Sequence, residues 1–125
     1  MGIEPTETLW EAKLPTSVIS VAATPTLSLT VAACVDKRGY AFDQNGCSLW
    51  VADLDEEAWS SATTQDGLFS AFGTANKKPA KGTLYIVDHA GGIMCREPLG
   101  SPIWSLDFDP SGTLLAAGTW FGQVI

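Results

Sequence analysis

From Ile103 to Asp109 the chain alternates, with Trp104, Leu106 and Phe108 on one side and Ser105, Asp107 and Asp109 on the other. A period of two predicts a strand with one face against a core. A few residues on, Gly112 to Gly118 is uncharged and almost continuously apolar, the pattern of a strand covered on both faces. Two further strands are predicted around a tight turn. The first ends at Phe42-Asp43 or Val87-Asp88, and the second follows Asn45-Gly46 or Ala90-Gly91. Asn-Gly predicts a two-residue hairpin with positive φ at both central positions. No long stretch holds a helical period, and Ala58 to Thr64 is too short and too rich in Ser and Thr to predict a helix.

These patterns recur. Leu14 to Val21 returns 40 residues later as Leu54 to Ser61, and 45 residues after that as Leu99 to Leu106. In the same register Pro25 answers Pro110, Gly67 answers Gly112, and Val31-Ala32-Ala33, Ala71-Phe72-Gly73 and Ala116-Ala117-Gly118 form one small, apolar block. Beyond it Tyr40-Ala41-Phe42-Asp43 answers Tyr85-Ile86-Val87-Asp88, and Gly46 answers Gly91. The five extra residues of the middle unit fall between Thr74 and Leu84, around Lys77, Lys78, Pro79 and Lys81. Each unit reads as four short strands, the fourth carrying Trp10, Trp50 or Cys95 with a leucine four positions later.

A four-stranded unit of this length is the blade signature of a β-propeller. The run Ser101 to Gly118 resembles the first two strands of a WD-type blade, and Gly39 to Trp50 is similar to the third and fourth strands of the quinoprotein-like repeat. The Gly-His dipeptide of WD repeats is absent, and Phe42-Asp43 and Val87-Asp88 stand where their Trp-Asp pair would be. The resemblance is therefore to divergent WD-like or quinoprotein-like propellers, and it spans nearly the whole chain. It implies an all-β fold of about three four-stranded antiparallel blades, a fragment or half of an assembled ring: a fourth strand at 8–14, blades at 15–54 and 55–99, and an incomplete blade at 100–125. Strand counting gives about twelve strands. Three blades fall short of the roughly four to eight that close a ring, so apolar end faces need cover. The reading is a portion of a longer propeller. Its alternative is a head-to-tail homodimer, a six-bladed ring in which the amino-terminal strand of each copy completes the last sheet of the other.

The chain has 125 residues, 46% hydrophobic and 17% charged, enough for one globular domain with a real core. Its formal charge of −7, from 7 Lys plus Arg against 14 Asp plus Glu, argues against nucleic acid or an anionic membrane surface as partner. Membrane insertion is not expected. The 3 cysteines include no Cys-x-x-Cys pair, which predicts buried, reduced thiols rather than a disulfide framework or zinc site. Met1 to Thr8 shows no signal-peptide pattern, so a cytoplasmic location is the default expectation.

In propellers the loops joining fourth to first strands and second to third strands share one face. Here they hold Asp55, Glu56, Glu57, Asp36, Lys37, Arg38, the Lys77 to Lys81 insertion and Trp120-Phe121. Trp59 and Trp104 begin first strands beside that face. Aromatics beside charges suit a protein-binding surface, so the candidate binding residues are Trp120, Phe121, Trp59, Trp104, Glu56, Glu57 and Arg38. Competing readings are that Trp59 and Trp104 pack between blades, that Asp55-Glu56-Glu57 is a solvated loop, and that the lysine insertion is a flexible solvated loop rather than a contact for an acidic ligand. Asp43 and Asp88 are expected to stabilise turns. The lone His89 offers no histidine metal cluster and no triad, and Gly91-Gly92 is not a phosphate loop. No catalytic residue, metal or cofactor is expected. The expected function is a non-catalytic protein-binding or scaffolding module. The alternatives are part of a quinoprotein-like enzyme with a pocket at the central channel, or a structural surface array.

Overall fold

The computed structural model describes residues 8–125. Residues 1–7, which hold most of the Met1 to Thr8 segment read for a signal peptide, lie outside the described residues. Among the described residues there is no helix, and so none long and apolar enough to cross a membrane.

Among the described residues eleven strands form three antiparallel sheets in chain order. Sheet 1 is the meander β1 (Val18–Ala23), β2 (Leu29–Cys34), β3 (Arg38–Asp43) and β4 (Ser48–Asp53). Sheet 2 holds β5 (Glu57–Thr63), β6 (Phe69–Lys77), β8 (Thr83–Asp88) and β9 (Ile93–Pro98), with the two-residue β7 (Ala80–Lys81) folded back on the end of β6. Sheet 3 pairs β10 (Ile103–Phe108) with β11 (Leu115–Thr119). Beyond β11, Gln123–Ile125 turns back and exchanges backbone hydrogen bonds with Ala117 and Thr119, with a single bridge from Gly118 to Val124. The five-residue insertion is thus the β6–β7 hairpin. The expected strand at 8–14 does not form: that segment pairs with no sheet, though Trp10 and Leu14 pack on one face of sheet 1.

The sheets stack on alternating residues. Leu29, Val31, Ala33, Ala41 and Trp50 of sheet 1 meet Ala58, Phe72, Tyr85 and Val87 of sheet 2 in one cluster. The opposite face of sheet 2 presents Ala62, Ala71, Leu84 and Ile86 to Ile103, Leu106 and Ala117 of sheet 3. The middle sheet is therefore covered on both sides, which is why β6 is buried along most of its length. β11 is covered on one side only, so the two-faced burial expected of Gly112 to Gly118 does not hold there.

The alternation expected in β10 is also corrected. A β-bulge between Ile103 and Ser105 adds one residue to the strand. Ile103 and Leu106 face the core, while Trp104 turns outward. Bulges at the same register occur in β1, between Val18 and Ser20, and in β5, between Ala58 and Ser60.

The hairpin turns differ from expectation in the same instructive way. Only Gly46, not Asn45, has positive φ, at 81°. The Asp43 carboxylate accepts from the backbone N–H of Asn45 at 2.8 Å and of Cys47 at 2.9 Å, which holds a three-residue turn closed by one left-handed glycine. Asp88 does the same for Ala90 and Gly92 beside Gly91.

Candidate functional site

The β2–β3, β4–β5 and β6–β8 connections end on one side of the sheets and enclose a cleft of about 760 Å³. It is lined by Lys37, by Asp55, Glu56, Glu57 and Trp59 around the start of β5, and by Ala75 to Lys78 and Lys81 of the hairpin. Its aromatic lining is Trp59, which is backed by a tryptophan of the next sheet. Trp59 of β5 and Trp104 of β10 meet edge to face with ring centroids 5.0 Å apart, a favoured geometry for two quadrupolar rings. The Lys77 ammonium stands 5.1 Å from the Trp59 ring centre, within cation–π range. Trp104 remains 52% exposed.

The acidic residues of the cleft have partners inside the protein. Glu56, expected in a solvated loop, is 9% exposed. It accepts hydrogen bonds from the Thr74 hydroxyl at 2.9 Å and the Thr83 hydroxyl at 3.3 Å, and Lys81 lies 3.8 Å away. A buried carboxyl needs such donors, and the strand pairing of β6 with β8 supplies them. Glu57 accepts from the Trp59 indole N–H at 3.1 Å. Asp55 is paired with Arg96. That pairing, with the Tyr85 hydroxyl next, holds its carboxyl below the usual carboxylate range.

Lys37 and Lys78, by contrast, have no carboxylate within salt-bridge distance among the described residues. Six of the seven Lys and Arg residues, Lys37, Arg38, Lys77, Lys78, Lys81 and Arg96, gather at this end; the seventh is Lys13. The turns at the other end carry Asp43, Asp66, Asp88 and Asp109 and no Lys or Arg.

Of the seven candidate residues, Trp59, Glu56 and Glu57 line the cleft, and Trp104 packs on Trp59 without itself lining it. Arg38 stands just outside it, bound to Asp53 at 3.1 Å. Trp120 and Phe121 also lie apart from it. They stack with planes 6° from parallel and centroids 6.2 Å apart, on a turn tied to the start of β10 by Trp120 N–H to the Pro102 carbonyl and Phe121 N–H to the Ser101 hydroxyl. Both rings are largely exposed. Lys37 and Lys78 are outside the seven candidates, although the sequence places Lys37 on the same face and offers the insertion lysines to an acidic ligand. What marks them, as it marks Lys77, is the lack of an ion-pair partner among the described residues, which strand order alone does not reveal.

Elsewhere, Cys34 is buried, and burial, with Asp36 second, pushes its thiol up to about 11. Cys47 and Cys95 are exposed, which corrects the expectation that all three are buried. Cys47 lies in the turn before β4, and Cys95 is on β9, which is exposed along its length. His89 sits in an exposed turn at the end opposite the cleft. No group of three or more His, Cys, Asp or Glu suited to hold a metal ion occurs among the described residues. Neither a protein-family profile nor a curated protein matches this chain.

Proposed function

We propose that the chain is a non-catalytic binding module, three propeller-like blades carrying a recognition cleft for an acidic stretch of a protein partner. The observation that carries this reading is the cleft's imbalance. Its carboxyl groups are bonded within the protein, while Lys37 and Lys78 point no ion pair inward and Trp59 and Trp104 offer apolar area beside them. Large aromatic area with a polar rim is the usual composition of an interaction hot spot. Exposed lysines near the rim attract a negative segment and set its register more than its affinity. The stacked Trp120 and Phe121 form a separate exposed aromatic pair at the same end of sheet 3.

Titration with a glutamate-rich peptide containing one aromatic residue, followed by the indole N–H NMR signals, tests this. The Trp59 and Trp104 signals are expected to move while that of Trp50, buried between sheets 1 and 2, stays in place. The response is expected to weaken with salt, since exposed charges are screened over about 8 to 10 Å. It is expected to vanish in Lys37→Glu/Lys78→Glu. Signals that stay fixed, or that respond equally to a lysine-rich peptide, would overturn the proposal.

A further inference from the structure

The two outer faces of the stack match each other as the two internal interfaces do. Along one face of each sheet the repeat register places Leu29, Val31 and Gly39 in sheet 1, Phe69, Ala71 and Leu84 in sheet 2, and Leu114, Ala116 and Val124 in sheet 3. The first set is packed under sheet 2, with Leu29 and Val31 buried. In the second, Ala71 is buried against sheet 3. The third meets solvent: Leu114 is 70% exposed and Val124 86%. On the opposite faces, Ala58 and Ile103 are wholly buried against the preceding sheet, while Val18 at the same register in sheet 1 is half-exposed. Leu106 is buried where Val21 is 65% exposed. One end of the molecule thus presents the donor half of an interface formed twice internally, and the other end presents the acceptor half along β1, the rest of that face being packed with Trp10 and Leu14.

Two details extend the match. A bulky side chain meets a small one at one register: the Phe72 ring lies over Gly39, with a Cβ built on that glycine only 2.5 Å from Phe72 Cζ. Leu84 and Ala117 hold those positions at the next interface. Val124 holds the bulky position on the last face, while Ala32, its counterpart on the first, is already buried in a cluster with Trp10 and Leu14. Second, the segment at 8–14 behaves as a fourth strand without a sheet. Trp10 covers Gly46 as Trp50 of β4 covers Gly91. The outer edge of Gln123–Ile125 has no neighbour among the described residues.

We infer that two copies of this chain associate head to tail, the Leu114, Ala116 and Val124 face of each docking on the Val18 and Val21 face of the other. The segment carrying Trp10 then lies along the partner's Gln123–Ile125 edge. Such an interface is heterologous and closes only if the rotation allows; six sheets lie within the roughly four to eight that complete a ring. Asp107 stands on the docking face where Ala22 and Ala62 stand internally, and burying a carboxylate opposes association.

Light-scattering mass on the 125-residue chain tests this, because single substitutions at exposed positions leave the fold intact. The expected mass is twice the 13.2 kDa of one chain. Leu114→Asp and Val21→Asp, which alter different faces, are each expected to return it to one copy, and Asp107→Ala is expected to tighten the pair. A chain that stays monomeric at its solubility limit overturns the inference. So does a pair that survives either Asp substitution, since that would mark a two-fold symmetric contact through one face.

Discussion

Trp104 carries two demands. Its edge packs on Trp59 from the neighbouring sheet, yet about half of the ring stays in water. Truncating a fully buried tryptophan costs about 3 to 5 kcal/mol. With half the area lost and an aromatic pair worth about 0.5 to 1.5 kcal/mol, Trp104→Ala is expected to cost about 2 kcal/mol in urea unfolding, with weaker acidic-peptide binding. A loss above about 4 kcal/mol would place the ring in the core. The outward turn of Trp104 was hidden in the sequence because the bulge inserts one residue and shifts the period of two. The burial of Glu56 was hidden for another reason: its hydroxyl donors, Thr74 and Thr83, are brought to it only by strand pairing. Tyr40 and Tyr85 show how one substitution reroutes a bond. Tyr85 accepts the backbone N–H of Asp55 at 3.0 Å. Pro15, at the corresponding place in the first unit, has no N–H, and Tyr40 donates instead to the Asp36 carboxylate.

At the level of strands, the places of the hairpins are legible in the sequence where local chemistry decides, though the turn type is not. Asp43 and Asp88, each followed three residues later by Gly46 or Gly91, close hairpins at the expected places. The insertion around Lys78 became a hairpin extension. The fourth strand at 8–14 was legible as a pattern, but a strand needs an edge to pair with, and the described residues offer that segment only the face of sheet 1. Contact between strands of different sheets left less trace, because small residues there are chosen for what lies opposite. Gly39 is one such position. A methyl group there runs into the Phe72 ring, whose Cζ is 2.5 Å away, with two further ring carbons at 2.7 and 2.8 Å. Since Phe72 is wholly buried and cannot swing into solvent, Gly39→Ala is expected to cost about 1 to 3 kcal/mol by overpacking. Combining it with Phe72→Leu is expected to recover part of that loss. Two losses that simply add in chemical denaturation would show that the residues do not touch.

The whole molecule is electrically polarised. Its lysines and arginines crowd the cleft end, whereas the far end is a row of aspartate-closed turns. Three of those turn carboxyls are held below the usual carboxylate range. The Thr64 hydroxyl and the Leu68 N–H act on Asp66, the Gly92 and Ala90 N–H groups act on Asp88, and the Ser111 hydroxyl and Leu114 N–H act on Asp109. Asp55 is lowered at the cleft end by Arg96 and then Tyr85. A carboxyl whose folded pKa lies below its unfolded value of about 4 binds fewer protons when folded. The stability it contributes is fully present above about pH 4 and is lost as pH falls through the folded value. Relief of repulsion in a chain of charge −7 acts in the opposite direction on acidification. The two effects separate by salt, which screens repulsion across the molecule far more than hydrogen bonds within a turn. The thermal midpoint is therefore expected to be nearly level from pH 7 to about 5 and to fall below about 4. The fall should persist in high salt and be shallower in Asp66→Asn/Asp88→Asn/Asp109→Asn. A midpoint that rises on acidification in high salt would mean that the turn carboxylates do not hold the far ends of these sheets together.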